Sequence, residues 1–546
     1  MKDRTLIIPS ALIVSEELQK LGKLPPVIYP INQRIVFDYL YEQYDGICNE
    51  IDVVCFEKAD KVSRRLQNYK SRKIKVQTMN SLDDLGHTIY FALKNIYGSI
   101  IINFADTIVF DNIFEMKQDA FFYAKEYQSD TWTYYDVEEG RITNVFDKVE
   151  STSEEAKRLF VGVFQLMDSV YFKKCLERAF DCRDLGMDTF YYALCLYSES
   201  YPLQDIHTTN WFDIGHADTY YNSKLEVKAR EFNHIEIDKD RGILTKSSDY
   251  KEKLISEILW YLKLPGDVQY VCPRIFSYSI EYTNPYVKME YYAYHTLHEL
   301  FLYGDMTKHQ WIEVFERIRF VCEDFQRYTV KDGNTKKSLE DMYLTKTLQR
   351  FDEMRKDKRF TGFFSHPVTV NGKFYKSLNQ VEGVLKEIIP SMLYDVDSFN
   401  IIHGDLCFAN IMIDGNCSFI KVIDPRGKFG VYDIYGDFRY ELAKLFHSVD
   451  GKYDFIIKNL FSINYDLEKV VLTYSIQDRK RDFNLYKVFT DTFKNEIGVD
   501  LKKIELIESL LFLSMIPLHR ESLNHQLAML GTGLDILNRV VNIIKD

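Results

Sequence analysis

His403, Asp405, Asn410 and Asp424 follow one another within a single stretch of the chain, in a pattern suited to phosphoryl transfer. The run Ile401-Ile402-His403-Gly404-Asp405-Leu406-Cys407-Phe408-Ala409-Asn410 leads into Ile411-Met412-Ile413, the turn Asp414-Gly415-Asn416, and Phe419-Ile420-Lys421-Val422-Ile423-Asp424. A loop presents His403 and Asp405, four residues separate Asp405 from Asn410, and a hairpin carries Asp424 back beside them. In such a site one Asp accepts the proton of an attacking hydroxyl. An Asn and a second Asp hold the metal ions that bridge the nucleotide phosphates. Oxygen ligands of this kind suit Mg²⁺.

The elements that must position these residues are legible around them. Residues 232–237 alternate in polarity, Asp240-Arg241-Gly242 turns the chain, and 243–246 returns, which predicts a hairpin. A helix over 250–262 follows and stops at Pro265-Gly266; strands are expected at 274–280 and 286–290. From about residue 296 the pattern is mainly helical, broken by one compact hairpin near 410–424. The first two hundred residues instead alternate strands (6–8, 51–56, 74–76, 99–104) with helical stretches such as 34–44 and 82–97, which predicts a mostly parallel sheet covered by helices.

The His-Gly-Asp…Asn…Ile-Asp pattern resembles that of the aminoglycoside phosphotransferase and choline kinase family. Gly404 stands where protein-kinase catalytic loops carry Arg, so the likeness is to small-molecule kinases, with Ile423-Asp424-Pro425-Arg426-Gly427 in the place of the protein-kinase Asp-Phe-Gly. The resemblance covers roughly 230–546. It implies an α+β two-lobed protein-kinase-like domain over 229–546, with a small lobe at 229–295 and a helical lobe at 296–546. It also implies His403 and Asp405 as catalytic residues, Asn410 and Asp424 as Mg²⁺ ligands, and ATP as phosphoryl donor. Lys246 matches the phosphate-binding Lys and Glu257 its ion-pair partner, with Lys251 and Lys253 as alternatives on the helix. Glu290 and Tyr292, in Met289-Glu290-Tyr291-Tyr292, fall where such kinases place the adenine hinge and are the remaining ATP-binding candidates. Residues 436–445 resemble the family's helix start, with Asp437 as cap or brace. Residues 332–378, rich in Lys and aromatics, read as a family-specific insertion.

Residues 1–228 resemble a sugar-phosphate or choline-phosphate nucleotidyltransferase, which implies a Rossmann-like, GT-A-like α/β domain. Leu6-Ile7-Ile8-Pro9-Ser10-Ala11 matches its first strand, and Leu24–Ile31 with Arg34–Tyr39 its Pro-Lys-Pro-Leu region. Ile101-Ile102-Asn103-Phe104-Ala105-Asp106-Thr107 matches its metal-binding strand end. Trp211-Phe212-Asp213-Ile214-Gly215-His216-Ala217-Asp218-Thr219-Tyr220 matches its closing motif. Asp106 and Asp213 are thereby implied as Mg²⁺ ligands for CTP or another NTP. The family's first loop is Gly-rich and carries an Arg; here Ser10-Ala11-Leu12-Ile13-Val14-Ser15-Glu16-Glu17 has neither, and the family's Lys is Pro26.

Composition limits what else the chain can be. The formal charge of −12 argues against a general nucleic-acid binder. Nine scattered cysteines without a CxxC pair read as reduced core residues, and no apolar run is long enough to cross a bilayer or serve as a signal peptide. The expectation is a cytoplasmic enzyme that phosphorylates a sugar or amino-alcohol and is joined to a nucleotidyltransferase-like domain, making an activated precursor for capsule or other cell-surface polysaccharide. In the alternative the first domain is a non-catalytic module for assembly or sensing. The partners expected are the hydroxylated substrate and nucleotides, with assembly into a homo-oligomer left open. The 39 Tyr and 38 Phe offer material for a cation–π box around choline, although most of them read as core.

Overall fold

The computed structural model describes the whole chain except residues 1–3, 32–33, 68, 70–72, 112–117, 127–130, 150–155, 183–185, 218, 221–222, 225–234, 239, 479–480, 499 and 545–546. It forms two compact units, Met1–Lys228 and Ala229–Asp546. The residues on either side of that junction, Phe232, Asn233 and His234 of the expected hairpin, and Asp218 all lie outside the described residues.

In the first unit the strand Arg4–Pro9 is central, with Glu50–Cys55 parallel on one side and Ser99–Asn103 parallel on the other; Lys73–Thr78 extends the sheet beyond Glu50–Cys55. Ser99–Asn103 is buried along its whole length, as a strand covered on both faces requires. The other half of the sheet departs from the expected parallel pairing. Lys157–Leu166 runs antiparallel to Ser99–Asn103 and to Ala120–Glu126. Thr133–Glu138 and Arg141–Asp147 form an antiparallel hairpin whose turn residues Glu139 and Gly140 both have positive φ (49° and 79°). A two-residue turn of that hand allows only antiparallel return. The helices are also shorter than their patterns: Arg34–Ile35 pairs with Pro30–Ile31 before the helix Val36–Gln43, and Leu85–Ala92 begins where the Asp84 carboxylate accepts the His87 N–H at 2.9 Å.

In the second unit Ile235–Asp238, Ile243–Ser247, Tyr286–Glu290 and Ile275–Ser279 form an antiparallel sheet in that spatial order, with the helix Lys251–Lys263 following the second strand. The expected hairpin is present as Ile411–Ile413 and Ile420–Val422. It is not the sole β element of the later part, as the pattern suggested. Val368–Val370 and Lys373–Tyr375 turn at Asn371-Gly372 and join Val471–Ile476 and Phe461–Asp466 in a four-stranded sheet. These runs are too short to declare themselves alone and find their partners only across the intervening helices. The rest of 332–378 is largely helical, including Lys346–Arg355. The closing helices Leu501–Met515 and Leu523–Val540 bury most of their residues.

None of the nine cysteines forms a disulfide; seven are buried, whereas Cys195 is half-buried and Cys182 exposed, against the reading of all nine as core. Among the described residues no helix is long and apolar enough to cross a membrane.

Candidate functional site

The second unit gathers the phosphoryl-transfer candidates through local geometry. Phe399–Ile401 ends at the loop carrying His403, and Gly404 follows with φ 76°. A Cβ there would lie 3.0 Å from the Arg426 Cβ, so both the backbone hand and the space call for glycine. The His403 ring is fully buried. Its Nδ1 accepts the Asp405 N–H at 3.3 Å, and its Nε2, which therefore carries the proton, pairs with the Ile423 carbonyl at 2.9 Å. Burial lowers its pKa to about 4. Trp260 packs edge-on against the ring at 5.4 Å and donates to the Ile402 carbonyl at 2.8 Å. His403 thus ties the loop to the hairpin without reaching the cavity.

Asp405 is held at both carboxylate oxygens: the Lys444 Nζ lies 2.8 Å from Oδ1 and the Asn410 Nδ2 donates to Oδ2 at 3.1 Å. Burial works to raise its pKa, but Lys444, then His403 and Arg426, outweigh it and hold the carboxyl well below the usual range. Burial works against the Lys444 charge as well, and Asp405 more than offsets it, raising that pKa. Behind the loop, Glu441 is fully buried and accepts the His403 and Gly404 N–H groups at 2.6 and 2.9 Å. Burial raises its pKa to about 7, against the pull of those two donors. Lys444 and Glu441 both stand on the helix Phe438–Val449, whose N-cap is Asp437. The pattern singled out this helix but assigned neither residue a role.

Asp424 has φ 57°, a left-handed conformation that Asp tolerates better than most residues, and its side chain remains 52% exposed. Its Oδ1 lies 2.7 Å from the Lys246 Nζ, which also pairs with both oxygens of buried Glu257 at 2.8 Å. Burial favours the neutral Lys246 amine, and Asp424 and Glu257 overcome that effect, raising its pKa. Lys246 lies on Ile243–Ser247 and Glu257 on Lys251–Lys263, so the small sheet and its helix meet the hairpin at this triad. Lys251 instead donates to the Thr283 carbonyl, while Lys253 lines the cavity of about 980 Å³ that contains Asp405 and Asp424.

Glu290 and Tyr292 do not join that cavity. The Tyr292 hydroxyl donates to Glu290 at 2.7 Å, and both line a separate cavity of about 530 Å³ with Tyr261, Cys272 and Lys421. Lys346, Arg350 and Arg426 do join the main cavity. The sole signal for the first two was the Lys-rich character of 332–378; Arg426 lay inside the Asp-Pro-Arg-Gly run without an assigned role.

In the first unit the ribbon Thr107–Val109 with Trp211–Asp213, in register Asp213↔Thr107, brings Asp106 and Asp213 together. A Cβ on Gly215 would lie 2.8 Å from an Asp106 carboxylate oxygen and 3.3 Å from one of Asp213. Asp213 accepts the Gly215 N–H at 3.1 Å, His216 Nδ1 at 2.8 Å and the Thr219 hydroxyl at 2.5 Å. Burial, then the neighbouring Asp213, raises the Asp106 pKa to about 6. Asp213 in turn raises that of His216. Asp106 accepts from the Thr107 hydroxyl at 3.4 Å; two carboxylates converging in this way fit a divalent cation. In the first loop, Leu12 is 62% exposed and Glu16 and Glu17 open a short 3₁₀ helix.

No protein-family model matches the chain, and no curated protein does. Solved structures resemble it over about two fifths of its length. The CTP:phosphocholine cytidylyltransferase from Streptococcus pneumoniae is 12% identical, with 41% of this chain and 99% of that chain covered and a TM-score of 0.35. The inositol-1-phosphate CTP transferase from T. maritima is 12% identical, covering 42% and 97%, with a TM-score of 0.33. HddC from Yersinia pseudotuberculosis is 17% identical, covering 41% and 99%, with a TM-score of 0.32. Likeness at this level concerns the course of the backbone; the chemistry of either unit rests on its own residues.

Proposed function

We propose that residues 229–546 form a two-lobed, kinase-like phosphotransferase that moves the γ-phosphoryl group of ATP to a hydroxyl of a small molecule. The observation that carries this reading is the clamped Asp405 carboxylate, held by Lys444 and Asn410 in one cavity with Asp424. The acceptor oxygen forms a bond to the γ-phosphorus as the bond to the β,γ-bridging oxygen breaks. ADP leaves with that electron pair, and the hydroxyl proton passes to Asp405 and on to solvent. Lys246, aimed by Glu257, binds phosphate oxygens, and Asp424 with the Asn410 side-chain oxygen would hold Mg²⁺. When bound, that ion offsets the charge of the phosphates. In this scheme His403 is a positioning residue, because its ring is spent on the loop and hairpin. Glu290 and Tyr292 would bear on ATP through the hinge backbone, since their side chains pair with each other.

The first unit is read as a nucleotidyltransferase-like domain in which Asp106 and Asp213 would hold Mg²⁺ for CTP or another NTP. A phosphate ester made by one unit is the kind of substrate a nucleotidyltransferase consumes. The pairing therefore suits an activated precursor of capsule or other cell-surface polysaccharide, made in the cytoplasm, where free cysteines persist. One observation favours a second reading, in which the first unit is non-catalytic and serves assembly or sensing. Its first loop offers an exposed Leu12 and two carboxylates, Glu16 and Glu17, where a triphosphate needs close backbone N–H groups.

The test is incubation of the full chain with ATP, Mg²⁺ and a panel of sugars, sugar acids, sugar phosphates and amino-alcohols. Formation of ADP and a phosphate ester from at least one of them, slowed by about 10³-fold in Asp405→Ala, is the expected result. Equal rates for wild type and Asp405→Ala on every consumed substrate overturn it.

A further inference from the structure

The cavity around Asp405 is lined by six basic side chains, Lys253, Lys346, Arg350, Arg426, Lys428 and Lys444. Lys444 is taken up by Asp405, whereas Arg350 gives only its Nη1 to Glu353, at 2.8–2.9 Å, and keeps its other guanidinium donors for an anion. Lys346 has neither a carboxylate nor a hydrogen-bond partner among the described residues. Arg426 has no carboxylate within ion-pair distance among the described residues; its guanidinium donates to the Tyr440 hydroxyl at 2.8 Å, and its backbone N–H is fixed to the His403 carbonyl at 3.0 Å. Lys346 and Arg350 are one helical turn apart on Lys346–Arg355, so they share a face. Burial, then Arg426, Lys444 and Arg350, outweighs the opposing pull of Asp405 and pushes the Lys346 pKa well below its ordinary value. A half-buried ammonium among other cations is a costly arrangement unless an anion completes it. The remaining acidic lining, apart from Asp405 and Asp424, is Glu252.

We propose that Lys346, Arg350 and Arg426 form an oxyanion subsite, so that the acceptor is a small hydroxylated molecule bearing a phosphate or carboxylate. The proposal rests on the phosphotransferase reading for calling the occupant an acceptor and for placing the ATP phosphates at Lys246; that the site takes an oxyanion rests on the cavity lining alone. A guanidinium takes either oxyanion in a fork and an ammonium adds a point charge, while a concave basic wall concentrates anions from solution. The ATP phosphates have their own cation in Lys246, on the small sheet. A cationic amino-alcohol such as choline would meet repulsion here, and the aromatic residues of the lining, Tyr440 and Tyr453, do not make a cage, since Tyr440 is engaged by Arg426.

The test is equilibrium binding to the full chain, free and saturated with a non-hydrolysable ATP analogue and Mg²⁺. The probes are inorganic phosphate, glucose 6-phosphate, glucuronate, glucose and choline. The anionic probes should bind in both states and glucose and choline at least tenfold more weakly, with phosphate and carboxylate arms separating the two oxyanion sources. Lys346→Gln and Arg350→Gln should each weaken anion binding tenfold or more and leave analogue affinity unchanged, and Lys346→Arg should keep it. Thermal melting confirms that each variant is folded. Anion affinity equal in wild type and both Gln variants, no anion binding, or displacement of the anion by the nucleotide overturns the subsite. Failure of Asp405→Ala to slow transfer would remove the kinase reading and leave the anion measurements intact, so the two failures are distinguishable.

Discussion

The Lys444 ammonium lies 2.8 Å from one oxygen of Asp405, whose other oxygen accepts from Asn410 at 3.1 Å. The pair fixes where the carboxylate points and keeps it ionised. Removing the cation leaves a half-buried carboxylate without its main counter-charge, which is more costly than losing a fully exposed pair.

Lys444→Met should therefore lower the transfer rate by about 10²-fold while nucleotide affinity changes little. Because Lys444 holds the Asp405 pKa down against burial, its loss should move the acid limb of the rate–pH profile to higher pH. The measurement is the profile of both proteins on one consumed substrate; an unmoved limb would separate Asp405 titration from the rate.

Lys246 and Glu257 act as a unit, joined at 2.8 Å and shared with Asp424. Lys246→Ala and Glu257→Gln should each cost about 10²-fold in kcat/KM, and the double variant little more than either single one. Additive losses in the double-mutant cycle would mean that the two side chains contribute separately.

Gly427 has φ 63°, and a Cβ there would lie 2.1 Å from the Ser256 carbonyl oxygen. Gly427→Ala should destabilise the second unit by about 2 kcal/mol or more, since both the backbone and the helix Lys251–Lys263 oppose it. Calorimetry on the full chain, following the transition of that unit, gives the answer.

His403 is buried neutral, with its pKa lowered from 6.5 to about 4. Between those values the unfolded chain binds a proton that the folded chain does not. Its contribution is complete above pH 6.5 and is lost as pH falls from there through about 4, about 3 kcal/mol in all. The stability gap between wild type and His403→Asn should narrow accordingly between pH 7.5 and pH 4.5, read from denaturant midpoints.

In the first unit Asp106, raised to about 6 by burial and by Asp213, should release a proton when a divalent cation binds. Mn²⁺ affinity of the full chain should fall between pH 7.5 and pH 5.5 at this site and disappear from it in Asp106→Asn. Electron paramagnetic resonance on the wild type and on that variant counts the sites.

The order His403, Asp405, Asn410, Asp424 and the closeness of these residues were legible in the residues alone, because a loop and a short hairpin are local objects. The same holds for the strands and helices of the small sheet that carries Lys246 and Glu257. The meeting of Asp106 and Asp213 was anticipated by likeness to a known motif, not by spacing, since over a hundred residues separate them. Tertiary structure alone decided the rest. Whether Glu290 and Tyr292 face the main cavity depends on how their strand end is covered, and they turn to each other instead. The antiparallel half of the first sheet and the four-stranded sheet of the second unit arise from pairings between short, distant runs. Which lysine clamps Asp405, and that Lys346 and Arg350 join its cavity, depends on helices docked from different parts of the chain. A sequence specifies such neighbours only through the whole packing of the core, because side-chain proximity across elements is a property of the fold and leaves no periodic trace in either segment.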